Sequence, residues 1–194
     1  MQFINERKIK LEKPLSDLDK LVIRFTNLIK EHTDYVIISG YVAILLGRSR
    51  GTEDVDLFIK PIPKPLFLTL YHHLKTSGFW CLNAESDDEV YSYLEEGLAL
   101  RFALQGETIP NFELKIAKKR IDQEVFEDFI EVETKEGILN ISSLERQIAF
   151  KRYYLKSEKD LEDARHIEES FKYHIITEKI KKYKRLLELT HGKT

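Results

Sequence analysis

Apolar residues recur at helical spacing from Leu18 through Leu21, Val22, Phe25 and Leu28 to Ile29, which predicts a helix running to about His32. Ser16 stands three residues ahead of Asp19, as in an N-terminal cap. The pattern then changes. Tyr35–Ser39 is a short, partly β-branched run followed by Gly40, and Tyr41–Leu46 predicts a helical turn or two closed by Gly47. Arg48–Glu53 is a polar loop, and Val55–Ile59 is a second strand stopped by Pro61, Pro63 and Pro65. Pro65–Ser77 reads as a helix with Gly78 as its stop, and acidic Asp87–Glu96 as a short helix or loop. Leu98–Leu104 and Phe112–Ala117 alternate as strands with a turn around Gly106. Phe129–Thr134 and Ile138–Ile141 form a hairpin around Glu136-Gly137. Beyond Ile141 the periodicity is helical: Ser142–Leu155, Lys159–Glu169 and about Thr177–Leu189.

Strands and helices mix up to residue 141 and only helices follow. This predicts an α/β or α+β core over 1–141, a mixed sheet flanked by helices, with a helical segment over 142–194 packed on it. Hydrophobic residues make up 42% of the 194, enough for a buried core and against a disordered chain. Lys and Arg number 31 against 33 Asp and Glu, so bulk charge does not attract nucleic acid, and only a local basic face could. Cys81 is the sole cysteine, which excludes an intrachain disulfide and a multi-cysteine zinc site. Met1–Leu11 has no apolar signal-peptide core, and Tyr41–Leu46 is far shorter than the ~20 apolar residues of a membrane span. A soluble, cytoplasmic protein with no membrane partner is expected.

The chemistry concentrates between Ile38 and Leu57. A strand alternates its faces, so Asp54 and Asp56 project to one side while Val55 and Leu57 go to the other. Two carboxylates so close repel each other unless a cation lies between them, and oxygen donors paired in this way suit Mg²⁺. Upstream, Ser39-Gly40 at a strand-to-helix junction offers backbone N–H groups to phosphate oxygens. Arg48 and Arg50, in the loop ahead of the acidic strand, are placed to contact phosphate or to form surface ion pairs. Either half is common alone; together they are the apparatus of metal-assisted phosphoryl or nucleotidyl transfer.

The run Ser39, Gly40, Tyr41, a short helix, Gly47, then Arg50, Thr52, Asp54 and Asp56 resembles the signature of the DNA polymerase β-like nucleotidyltransferase superfamily. The form is that of small prokaryotic members of the AbiEii type, related to abortive-infection toxins, with Ser39 in place of the usual first Gly. A second block is similar to that family's helical segment: Ser143 to Lys151, Lys156, then Lys159-Asp160-Leu161-Glu162-Asp163-Ala164. The resemblance spans about residues 35–168. It implies a nucleotidyltransferase fold and transfer of an NMP from an NTP, such as ATP, to a hydroxyl acceptor, RNA such as tRNA or a protein. It also implies two Mg²⁺ ions, with Mn²⁺ as the alternative, and a small antitoxin as a candidate partner.

In this reading Asp54 and Asp56 hold the metals, and Glu113, alternating with Phe112 and Leu114, is the third carboxylate. A strand Glu paired with a lysine is the competing reading of Glu113, and Asp122 is the runner-up for its role, with helix capping as its plainer alternative. Ser39, Gly40, Arg50, Thr52, Lys151 and Asp160 are the nucleotide-binding candidates. Lys151 is read as a cation on the phosphates or as a solvated helix lysine. Of Asp160 and Asp163, Asp160 is taken to orient a site cation and Asp163 to belong to the helix surface. His72 and His73 are helix neighbours, not at the i, i+4 spacing that brings two imidazoles to one metal, so core or surface roles are expected. On the last helix Ile176, Ile180, Tyr183 and Leu187 share one face, with Lys181, Lys182 and Arg185 opposite as a solvated surface or an RNA contact. A nucleotide-binding module of this fold without turnover is the rival from another class.

Overall fold

A computed structural model describes residues 1–191. The first long helix, α1 (Asp17–Lys30), starts as the sequence predicts. The Ser16 hydroxyl accepts from Asp19 N at 3.1 Å, and the Asp19 carboxylate accepts from Ser16 N at 2.9 Å. A box of this kind satisfies two of the four N–H groups that a helix start leaves without partners. Asp19 is itself buried and also accepts from the Tyr41 hydroxyl at 2.7 Å, tying the start of α1 to the next helix.

The centre of the sheet follows. β3 (Tyr35–Ile37) leads into the short α2 (Gly40–Leu45) and returns antiparallel as β4 (Asp54–Ile59), which lies parallel to β7 (Asn111–Ile116). Val55, Leu57 and Ile59 of β4, and Phe112, Leu114 and Ile116 of β7, are buried. The Phe25 ring from α1 stacks on Phe112 at 3.9 Å between centroids and meets Phe79 edge-on at 5.0 Å. Fully burying a Phe stabilises by about 1.5–3 kcal/mol, so this cluster anchors α1 to one face. The opposite face of β4 and β7 then carries their polar residues.

Nine strands form one mixed sheet, in the order β1-β2-β8-β9-β3-β4-β7-β6-β5. The remaining strands are β1 (Gln2–Asn5), β2 (Lys8–Lys10), β5 (Phe79–Cys81), β6 (Leu100–Leu104), β8 (Phe129–Glu133) and β9 (Ile138–Ser142). The parallel pairs are β2 with β8, β3 with β9 and β4 with β7. The helices α3 (Lys64–Thr76), α4 (Asp87–Glu95), α5 (Arg120–Gln123), α6 (Leu144–Phe150), α7 (Glu158–Ser170) and α8 (Thr177–His191) complete the fold.

The pattern misses β1, β2 and β5. Each has only three or four residues, too short for an alternation to show; β1 and β5 are the sheet's edges, whereas β2 is paired on both sides and its Ile9 is fully buried. The predicted helix over Ser142–Leu155 is corrected twice. Ser142 ends β9, and Ser143 caps α6 by accepting from Arg146 N. Lys151–Leu155 then widens into a π-helical turn, with Lys156 N donating to Lys151 O and Lys156 at a positive φ of 62°. The helices α6, α7 and α8 pack on one another, and α7 also lies against α2. Ile180, Tyr183 and Leu187 are buried as their spacing predicts. The predicted helical segment ends at residue 194; 192–194 lie outside the described residues.

Candidate active site

Register brings the carboxylates together. Asp54 pairs with Asn111 and Asp56 with Glu113 across β4 and β7, so Asp56 and Glu113 are direct neighbours on the face opposite the Phe25 cluster. Asp54, at the strand start, is exposed, and Thr52 holds it: the Thr52 hydroxyl donates to Asp54 O at 2.9 Å and to Asp54 Oδ1 at 3.1 Å. Sequence reasoning misses Lys115, two residues past Glu113 and therefore on the same face. Its ammonium lies between Asp56 Oδ1 at 2.9 Å and Glu113 Oε2 at 3.0 Å. Arg101, opposite Glu113 on β6, pairs with Glu113 Oε1 at 2.8 Å. Both readings of Glu113 thus meet in one place: it is paired with a lysine, and it stands beside Asp56.

The electrostatics follow. Burial pushes the Asp56 carboxyl above its usual range, more than Lys115 pulls it down, and Glu113 and Asp54 add to the rise. Burial acts on Glu113 in the same sense, but Lys115 and Arg101 together more than offset it and hold that carboxyl low. Burial lowers Lys115, and the two carboxylates outweigh it and raise the ammonium.

The turn ahead of α2 is strained. Ser39 has φ 64° and ψ −137°, a region that only glycine enters freely, and its hydroxyl makes no capping bond to α2. Buried Gln147 of α6 clasps this backbone. In the amide orientation that satisfies its neighbours it donates to Ser39 O at 3.2 Å and accepts from Ser39 N at 3.0 Å. Arg50 lies over Gly40 so closely that a Cβ there would meet Arg50 Nη2 at 2.0 Å, and the guanidinium would have to swing aside to admit a side chain.

Lys151 is 1% exposed. It donates to Asp160 Oδ1 at 3.1 Å and Asp163 Oδ2 at 2.8 Å, so its ammonium is already paired. Asp163, assigned above to the helix surface, is fully buried. Arg48 Nε at 2.7 Å and Arg50 Nε at 3.6 Å face its Oδ1 at ion-pair distance without the alignment of a hydrogen bond. An α7 carboxylate thus gathers three cations, two from the loop before β4 and one from the end of α6. Asp160 also accepts from the Ser157 hydroxyl.

A cleft of about 290 Å³ joins these parts, with Ser39, Asp56, Lys115, Arg146, Gln147 and Lys151 among its lining residues. The aromatic side chains of Phe58, Phe150 and Tyr154 line it as well. Arg146 is buried, stacks on Phe150 at 4.2 Å and donates to Ile121 O at 2.8 Å. Asp122 lines the same cleft from α5, whose N-cap is Lys119, so the capping role read for Asp122 is replaced by a place in the cleft.

A crystal structure of an antigenic nucleotidyltransferase-like protein from Paracoccidioides brasiliensis superposes with a TM-score of 0.54 at 18% identity, covering 93% of this chain and 92% of that one. The chain has a nucleotidyltransferase fold. Two structures of the antibiotic-resistance factor ANT(2'')-Ia align more loosely. Its solution structure gives a TM-score of 0.48 at 14% identity over 90% of this chain and 95% of that one. Its complex with adenylyl-2''-tobramycin gives 0.49 at 15% over 89% and 97%. No protein-family model matches the chain, and no curated protein does either.

On the nucleotidyltransferase fold, the donor set suits a hard divalent cation. Asp54, Asp56 and Glu113 offer only carboxylate oxygens, and they share one face of two neighbouring strands. The Lys115 ammonium already serves as counter-ion between Asp56 and Glu113. Two of the three basic residues read on α8 are compensated: Lys181 pairs with Glu178 at 2.7 Å and Lys182 with Glu124 at 2.6 Å. No helix among the described residues is long and apolar enough to cross a membrane.

Proposed function

We propose that this protein is a metal-dependent nucleotidyltransferase that moves an NMP from an NTP to a hydroxyl acceptor and releases pyrophosphate. The observation that carries the reading is the pairing of Asp56 with Glu113 beside Asp54, with Asp56 and the strained Ser39 lining one cleft. Asp54, Asp56 and Glu113 would hold Mg²⁺, two ions by the sequence reading and with Mn²⁺ as a substitute. The bound metal supplies charge neutralisation on the triphosphate and acidification of the attacking hydroxyl.

The chain's own residues do the rest. Ser39, Gly40 and Arg50 face the β- and γ-phosphates, with Arg50 turning from its long contact with Asp163. Thr52 fixes Asp54 through two hydrogen bonds. Lys151 and Asp160 act by holding α6 against α7, and with Asp163 they keep the cationic side of the cleft in place. Phe150 and Tyr154 offer aromatic faces to a base. The acceptor is a macromolecular hydroxyl, on RNA such as tRNA or on a protein, and a toxin paired with an antitoxin is the biological setting that fits the sequence resemblance. Compensation of Lys181 and Lys182 weakens the electrostatic case for RNA on α8.

The neutralisation of Asp56 and Glu113 by Lys115 and Arg101 favours one rival, a nucleotide-binding module without turnover. The deciding experiment incubates the protein with each α-labelled NTP, Mg²⁺ and cell extract, beside Asp54→Asn and Asp56→Asn. Wild type should transfer label to a macromolecule and release pyrophosphate, and both variants should lose at least a hundredfold while melting normally. NTP-induced stabilisation of wild type with no labelled product for any NTP establishes the binding module instead.

A further inference from the structure

Away from the cleft, two imidazoles meet. Glu31 is the C-cap of α1, His32 follows it, and His73 lies in the last turn of α3. The register of β3 with β4 puts Tyr35 opposite Ile59 and Ile37 opposite Leu57, so His32 lies at the end of β4 remote from Asp54. His32 Nε2 is 2.9 Å from His73 Nδ1, the rings cross at 67°, and Glu31 Oε2 is 3.9 Å from the same His73 nitrogen. Among the described residues this is the one set of three His, Cys, Asp or Glu side chains whose donor atoms all lie within 4.8 Å of one another. Read along the chain, His73 has only His72 beside it, and His72 turns to Asp87 at 3.0 Å. The partner for His73 comes from another helix, which no local spacing reveals.

We propose that Glu31, His32 and His73 form a binding site for a transition-metal dication of the Zn²⁺ class, with three protein ligands and one position open to solvent. Two imidazoles and one carboxylate are the donor set of many three-ligand zinc sites, and imidazole selects Zn²⁺, Ni²⁺ or Co²⁺ over Mg²⁺. Two nitrogens at 2.9 Å with a carboxylate oxygen at 3.9 Å need only small side-chain rotations to converge on one ion at 2.0–2.2 Å. The backbone favours a cation as well, because α1 and α3 both end here and direct the negative ends of their dipoles at it. Burial and the neighbouring His73 keep the His32 imidazole in its neutral, ligating form more than Glu31 opposes it. A bound ion would pin α1 to α3, and so steady the helix whose Phe25 seals the face behind the carboxylates.

The test takes the full-length protein, stripped with chelator, and titrates it with Zn²⁺ by calorimetry and with Co²⁺ by visible absorption. One equivalent of Zn²⁺ is expected, with Co²⁺ giving the intense bands of a four- or five-coordinate site, and excess Mg²⁺ not competing. At a hundredfold excess over Kd, Zn²⁺ should raise Tm by about 5–10 °C. His32→Gln and His73→Gln should each abolish binding and the Tm shift, and Glu31→Gln should weaken binding about tenfold. His72→Gln and Asp54→Asn should leave it unchanged. Absence of a Co²⁺ spectrum, or Zn²⁺ binding retained in His73→Gln or lost in Asp54→Asn, overturns the proposal.

Discussion

Lys115 and Lys151 each lie between two carboxylates, and their surroundings set them apart. Lys115 bridges Asp56 and Glu113 on the sheet, with its side chain 31% exposed. Lys151 bridges Asp160 and Asp163 where α6 meets α7, with its side chain 1% exposed. Water competes for the first ammonium and not for the second, so the first is held by an exchangeable pairing and the second by a permanent one. The same triad therefore serves two ends. On the sheet it keeps charge compensated by an exchangeable pairing, as the proposed metal and triphosphate site requires; between the helices it fixes the frame on which the cleft is built.

The widest expected difference is in stability. Lys151→Met should cost about 3–5 kcal/mol, because it leaves Asp163 fully buried with only the poorly aligned Arg48 and Arg50 for company. Lys115→Met should cost less, about 1–2 kcal/mol, since Arg101 still serves Glu113 and Asp56, whose carboxyl burial already raises, can take up a proton when its partner is lost. Denaturant melts of the two variants decide it, and equal losses would erase the distinction. The acid limb carries a second sign of the difference. Burial raises the Asp160 carboxyl, but Ser157 and Lys151 together outweigh it and leave it below its usual value. That contribution is complete above the unfolded value, about 3.9, and is lost as pH falls through the lower folded value. In Lys151→Met the acid-side loss of stability should therefore flatten.

Metal affinity comes next. If Lys115 holds the place of a bridging cation, Lys115→Met should tighten Mn²⁺ binding about tenfold, or about 1.4 kcal/mol, measured by titration under a non-hydrolysable NTP analogue. Lys115→Arg, which keeps the charge, should stay near wild type. Unchanged affinity in the Met variant would place Lys115 outside the metal's path.

The sequence makes one side of this comparison legible and hides much of the other. Asp54 and Asp56 can be put on one face because a strand alternates with period two, Glu113 is singled out only through the family resemblance, and the register sets it beside Asp56. The same rule applies to Lys115, but a lysine on a strand looks solvated until its partner strand is known. The burial of Lys151 and Asp163 depends on how α7 crosses α2 and α6, and no local pattern encodes that crossing. The same is true of His32 and His73. The small strands β1, β2 and β5 escape because their pairing is supplied by other strands and not by their own alternation. Capping and helical faces, by contrast, are local, and Ser16 with Asp19, or Ile180 with Tyr183 and Leu187, fall where the chain alone puts them.

The smallest effect tests where the two regions touch. Ser39 lies on the sheet side, in a backbone conformation that costs a non-glycine residue about 1–3 kcal/mol, and Gln147 on the helix that leads to Lys151 clasps its N–H and C=O. The permanent side thus imposes a geometry on the exchangeable side. Ser39→Gly should relieve the strain, offset by about 0.5–1 kcal/mol from the looser unfolded chain, for a net gain of about 1 kcal/mol. In a chain of this length that is a rise in Tm of about 2–4 °C. In a Gln147→Ala background the turn is free to relax, so the same substitution should gain little. Calorimetric melts of the four proteins measure the coupling. An equal gain with and without Gln147 would mean that α2 and its own sequence impose the strain, and that the helical side has no hold on the turn.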